Sequence, residues 1–429
     1  MKVLKFGGAS VKDAESVRNV ASILRRYAGE KLVVVVSAMG KTTNALEAVV
    51  KAHRAGDESL SAHLKRVREF HTAIIDGLGF PEKHALRDKV ENCFTEIEWV
   101  TEEPADKSYN WTYDQIVSVG ELMSTLIVSA FLTEQGMENA WLDARDIIRT
   151  DNTYREGKVD WKVTGERSNS TLRPLLENHP VVVTQGFIGS TSENFSTTLG
   201  REGSDYTAAI LSYCLDAEEM IVWKDVPGVL SADPKYYDDA VKLEQISYLD
   251  AIELTFYGAT VIHPKTIKPL ENKRIPMRVC SFLAPTERGT LIGDFEATKP
   301  LVPCFIFKTG QILLSISAKD FSFIAEENLS RIFSTFARHN VKINLMQNSA
   351  ISFSVCADND EMKIPALIED LTKEFKVRYN ENLRLVTVRH YFPSTIFQLS
   401  KDKDILLEQR SRHTAQLVLR EESGGIIAG

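Results

Sequence analysis

Short runs of β-branched and apolar residues recur along the first two thirds of the chain, with amphipathic stretches between them. Residues 3–6, 32–36, 181–184, 221–223 and 276–280 are short, largely apolar runs that read as buried strands. Residues 17–27, 59–75, 121–132 and 206–215 carry apolar positions at helical spacing. Buried strands alternating with helices predict an α/β unit, an open and mostly parallel sheet covered on both faces. In such sheets ligands bind beyond the carboxyl ends of the strands, so glycine-bearing turns after strands are the places to search.

The pattern changes after residues 293–300, a stretch with glycine, proline and charged residues that reads as a linker. Beyond it the units are smaller. Strand patterns at 312–318, 341–346, 351–357 and 383–390 alternate with helical patterns at 328–339 and 362–375. The order β-α-β-β-α-β is ferredoxin-like, an α+β arrangement. The expected division is residues 1–293 and 300–429. The second part splits into a unit at about 304–380 and a shorter one at about 381–425, whose helix is brief or missing.

Composition narrows the class. With 43% hydrophobic and 26% charged residues the chain builds an ordinary globular core. A net charge of −8 argues against a broad nucleic-acid or anionic-membrane surface. The five cysteines are odd in number and scattered, which suggests neither a disulfide framework nor a zinc site. The first residues enter a strand pattern directly, with no signal-peptide core, and no apolar run looks long enough to span a bilayer. These features lead us to expect a cytoplasmic protein.

Four segments carry candidate chemistry. Lys5-Phe6-Gly7-Gly8-Ala9-Ser10 ends the first strand. Paired glycines let backbone N–H groups approach phosphate oxygens, and the preceding lysine can neutralise a transferring phosphoryl group. A flexible strand-to-helix turn would use the same glycines. Thr197 to Thr207 contains Gly200, Arg201, Glu202, Ser204 and Asp205 ahead of a helix. Arg201 can fork onto a carboxylate, or pair with Asp205 across one turn. Ser118-Val119-Gly120-Glu121 fits a capping box at a helix start, with Glu121 as the cap. Trp223-Lys224-Asp225-Val226-Pro227-Gly228 fits a strand followed by a turn.

Together and in this order, these segments resemble the signatures of the aspartokinase family. Further matching stretches are 37–44, 120–124, 184–189, 223–234 and 258–264, and the likeness extends to about residue 390. The resemblance implies an amino-acid-kinase-like sheet sandwiched by helices, followed by a regulatory region of ACT type. It implies phosphoryl transfer from ATP, with Mg²⁺, to the β-carboxylate of L-aspartate, the first step toward lysine, threonine and methionine. By that resemblance Lys5 and Asp205 are catalytic, and Ser37, Thr43, Glu121 and Arg201 bind aspartate. Gly7, Gly8, Ser204, Lys224, Asp225, Asp233 and Thr260 serve the nucleotide, and no protein metal ligands are assigned. An amino-acid effector at the ACT region and a homodimer or larger homo-oligomer are also implied. A glutamate-type kinase and a non-catalytic amino-acid sensor are the alternatives.

Several residues depart from the family pattern. Glu202 replaces a glycine, Lys224 a threonine and Thr260 a lysine, while Leu230 stands where tyrosine is frequent. The expectation is that Lys224 supplies the charge that Thr260 lacks. Asn344 and Ala350 stand where lysine-inhibited relatives carry acidic groups, which predicts weak capture of lysine.

Overall fold

A computed structural model describes residues 1–259, 261–295, 301–320, 322–401 and 403–420. Thr260, most of the expected linker and the last residues of the second regulatory unit lie outside the described set.

The elements of the first part, in order, are β1 (Lys2–Phe6), α1 (Ala14–Arg25), β2 (Leu32–Val36), α2 (Thr42–Ala55), α3 (Leu60–Gly77), α4 (Ala85–Glu102), α5 (Tyr109–Glu134) and β3 (Asn139–Leu142). After these come α6 (Trp161–Arg167), α7 (Arg173–Asn178), β4 (Val181–Gln185), β5 (Ile188–Ser190), β6 (Ser196–Thr198), α8 (Gly203–Leu215) and β7 (Glu219–Lys224). β8 (Gln245–Ser247), α9 (Tyr248–Tyr257), α10 (Pro264–Lys273), β9 (Met277–Ser281) and β10 (Thr290–Gly293) complete it.

Eight of these strands form one sheet in the order β3-β4-β2-β1-β7-β9-β10-β8. Every pairing in it is parallel except β9 with β10. β1 is the switch point, because the chain leaves it toward β2 on one side and later returns as β7 on the other. Strand alternation then decides what faces the site. Leu4, Phe6, Val34, Val36, Ile221 and Trp223 enter the main core, where Phe6 stacks on Trp223. Lys5 and Lys224 have the opposite parity and point toward the face that α8 covers.

α5 corrects two expectations. It begins at Ser108, whose hydroxyl accepts from the Trp111 N–H, so Ser118 and Glu121 sit in mid-helix and form no capping box. It is also apolar and long enough to cross a membrane by length and composition alone. Here it is the central core helix, with 78% of its most apolar window buried inside the protein. Burial on all sides removes the amphipathic signature from the sequence.

The second compact unit combines Leu230–Leu243 and Glu253–Val261, which takes in the end of α9, with the C-terminal sheet. Its elements are β11 (Cys304–Ala318), α11 (Glu326–Arg338), β12 (Ile343–Asn348), β13 (Ser352–Asp358), α12 (Lys363–Glu374), β14 (Phe375–Arg389), α13 (Pro393–Ser400), β15 (Ile405–Arg410) and β16 (Thr414–Arg420). They form one antiparallel sheet in the order β12-β13-β11-β14-β16-β15. β11 and β14 each run 15 residues and pair along both halves of the sheet. A shift in register between Lys308 and Leu313 divides the halves. One half packs Ile332, Phe336, Leu367 and Leu371 from α11 and α12 against the sheet. The other is covered by the eight-residue α13, through Ile396 and Leu399, and by Ala232.

Candidate active site

A cavity of about 540 Å³ opens at the carboxyl ends of the central strands. Lys5, Ser37, Thr43, Glu121, Arg201 and Ser204 of the expected residues line it. The turn after β1 lies against the β2–α2 loop: Gly40 donates its N–H to the Gly8 carbonyl at 3.0 Å. A Cβ on Gly8 would stand 2.8 Å from the Ala38 carbonyl oxygen, so only glycine permits this approach. Gly120 plays the same part between α5 and α2, where a Cβ would meet Thr42 Cγ2 at 2.9 Å. That close packing seats Glu121 beside Ala38 and Ser37.

Two lysines share one buried carboxylate. Asp205, in the first turn of α8, is fully buried. Lys5 Nζ lies 2.7 Å from its Oδ1 and Lys224 Nζ 3.0 Å from its Oδ2. Burial alone would raise the Asp205 pKa, but the two ammonium groups hold it below the ordinary carboxylate value. Lys224 also lies 3.6 Å from Glu202 Oε2. Burial pulls the Lys224 pKa down, and the charges of Asp205 and Glu202 overcome that and raise it. Lys224 therefore engages the site and does not point into solvent. Asp205 pairs with these lysines, not with Arg201 across the turn.

Glu121 is the electrostatic opposite. Its carboxyl is buried and Oε2 has no hydrogen-bond partner. Burial pushes its pKa up to about 8, offset only in part by the Ala38 N–H and the charge of Lys5. A buried acid that faces a cavity with one oxygen unpartnered is prepared for a cationic ligand.

Sequence reasoning missed the far wall. Tyr113, Arg155, Glu156, Phe187 and Thr198 also line the cavity. The Arg155 guanidinium lies 4.2 Å from the centre of the Tyr113 ring, a cation–π contact. Asp114 holds this wall together. Its Oδ2 accepts from the Arg155 and Thr198 N–H groups at 2.8 and 2.9 Å, and its Oδ1 from Thr198 Oγ1 at 2.7 Å. Arg155, Phe187 and Glu202 all have φ between 54° and 74°. None is Gly or Asn, the residues that take this region at low cost, so the lining is held in place by its surroundings. Asp225 is exposed and outside the cavity lining. Asp233 belongs to the second unit, where its carboxylate accepts from the Lys235 N–H.

The fold and this cavity describe an amino-acid kinase, and the comparisons agree. The model of the amino acid kinase family matches residues 1–281, and the chain belongs to that family. Within it the chain is an aspartokinase. It is 33% identical over 399 residues to the lysine-sensitive aspartokinase 3 of Escherichia coli, covering 90% of this chain and 86% of that one. It is 29% identical over 407 residues to the chloroplastic aspartokinase 2 of Arabidopsis thaliana, covering 90% and 73%. Among solved structures, E. coli aspartokinase III with lysine and aspartate (T-state) superposes with a TM-score of 0.85 at 29% identity, over 98% of this chain and 96% of that one. The same enzyme with aspartate and ADP (R-state) gives 0.82 at the same identity and coverage.

Proposed function

We propose that the cavity holds L-aspartate against the terminal phosphate of ATP and transfers the γ-phosphoryl group to the aspartate β-carboxylate, giving 4-phospho-L-aspartate and ADP. The supporting observation is the buried Glu121 carboxyl, whose Oε2 has no hydrogen-bond partner, on the same cavity as Arg201 and Lys5. Glu121 takes the substrate ammonium and Arg201 its α-carboxylate, with Arg155 as a second guanidinium on that wall. Ser37 and Thr43 orient the acceptor. Lys5, held by Asp205, neutralises charge on the phosphoryl group, while Gly7 and Gly8 in the turn after β1 and Ser204 at the start of α8 offer backbone donors. Lys224, paired with Asp205, completes the nucleotide side in this reading. No covalent enzyme intermediate is needed, because the substrate carboxylate is itself the nucleophile.

Among the described residues no three metal-ligating side chains cluster, which suits a Mg²⁺ ion that arrives on the nucleotide phosphates. Mg²⁺ carried in on the nucleotide would supply positive charge against that of the phosphates, beside Lys5 and Lys224. All five cysteines are buried, and we place the chain in the reducing cytoplasm. Trapping the acyl phosphate with hydroxylamine tests the substrate. Aspartate should give hydroxamate and glutamate little; equal rates would overturn the assignment.

We also infer weak inhibition by lysine. Asn344 is already engaged: its carbonyl accepts from Lys308 Nζ at 2.8 Å, and its amide donates to Gln311 and Asp358. An internal ammonium thus fills an acceptor that a free diamine would need. Titration should show no inhibition at low micromolar lysine; strong inhibition there would refute this.

A further inference from the structure

Glu202 sits where the backbone is least comfortable for it. It precedes α8 with φ 54° and ψ 28°, and its side chain caps no helix N–H. A carboxylate held in a left-handed turn without capping needs another reason to be there. Its partner is Lys224, 3.6 Å away, and that lysine is divided between two carboxylates. The two partners differ in freedom. Asp205 is fully buried and is also tied to Lys5. Glu202 lines the cavity, and its side chain is 34% exposed. If an anion enters, Glu202 is the partner that can leave.

The charges define the consequence. Lys5 and Lys224 against Asp205 and Glu202 sum to zero, whereas without Glu202 the cluster carries one positive charge. We propose that Glu202 is a tethered counter-anion: it occupies Lys224 while the site is empty and gives it up to a phosphate of the nucleotide, so that it limits how tightly the site holds ATP and ADP. This rests on the reading of Lys5 and Asp205 as the phosphoryl site. The exchange is a swap of ion-pair partners, with no bond made or broken. In this account the residue that balances Lys224 is Glu202, its neighbour in space.

Glu202→Gln keeps the side-chain size and the turn while removing the competing charge. Its KM for ATP and its Kd for Mg-ADP, the latter by calorimetry, should fall about two- to fivefold, the range for a partly exposed ion pair. The KM for aspartate should hold. ADP affinity should also weaken more steeply with added salt than in the parent, because the site carries one more positive charge. Glu202→Asp should keep parental behaviour, and Glu202→Gly should match the glutamine variant in affinity. Unchanged ATP and ADP affinities in Glu202→Gln would reduce Glu202 to a solvated turn residue and sink the proposal. Weaker binding would make it a positive contributor, such as a ligand to the nucleotide's metal, and would sink it equally. Lys5→Met separates the two layers of the argument. If that variant keeps parental kcat, the phosphoryl site lies elsewhere; if it loses kcat while Glu202→Gln changes nothing, only the counter-anion fails.

Discussion

Replacing Glu121 with glutamine should raise the KM for aspartate by about a hundredfold while leaving the protein as stable or more so. The first half follows from charge. An ammonium paired with a buried carboxylate loses about 3 kcal/mol when that charge is removed. The second half follows from the empty site, where nothing cationic bonds Glu121 Oε2 and burial raises its pKa from 4.5 to about 8. A raised acid pKa means the folded state binds the proton more tightly than the unfolded one. Stability from this group is therefore full below about 4.5 and is lost as pH rises through about 8. Glutamine cannot ionise, so its melting temperature should gain on the parent between pH 5 and pH 8.5. The same proton couples to substrate. Aspartate needs the ionised form, so its KM in the parent should fall as pH rises and level off above about 8. Parallel melting curves and a pH-independent KM would remove Glu121 from the ammonium site.

What the sequence made legible is the part built from local patterns. Lys5 and its glycines could be read because a buried strand followed by paired glycines is a contiguous signal, and the turn lies where that signal puts it. The start of α5 could not, because a helix buried on all sides shows no polar face, and Ser118-x-x-Glu121 imitated a cap in its middle. β11 was seen only from Ile312 because Gly310, with φ 63°, and the shift in register break the alternation before it. Arg155 was missed for a different reason. It lies in an irregular loop with no periodicity, and its backbone N–H is held by the carboxylate of Asp114, 41 residues earlier. Glu202 and Lys224 were each visible as departures, but their contact joins a turn to a strand end and exists only in the fold.

Lys5 and Asp205 should fail in opposite ways, although they form one ion pair. Lys5→Met leaves Asp205 buried but still paired with Lys224 at 3.0 Å. The carboxylate keeps a neutralising partner, so the variant should fold with a modest loss in melting temperature. Its kcat should nonetheless fall about 10²- to 10³-fold, the effect of removing one preorganised group from the charge that develops in transfer. Asp205→Asn leaves two ammonium groups, those of Lys5 and Lys224, facing a neutral amide in a buried place. Breaking a buried pair in this way costs about 3–5 kcal/mol, and here the remaining charges also repel. That variant should lose stability first and activity as a consequence. Acid acts on the same link. The pKa of Asp205 is depressed, so its stabilising contribution is present above its ordinary value of 3.8 and is lost as pH falls through its lower folded value. The parent should then lose stability below about pH 4 more steeply than Asp205→Asn does. Thermal melts across that range, beside steady-state kinetics at neutral pH, separate the two roles. A Lys5→Met protein that melts as early as Asp205→Asn, or that keeps its kcat, would show that Lys5 serves the fold and not the phosphoryl group.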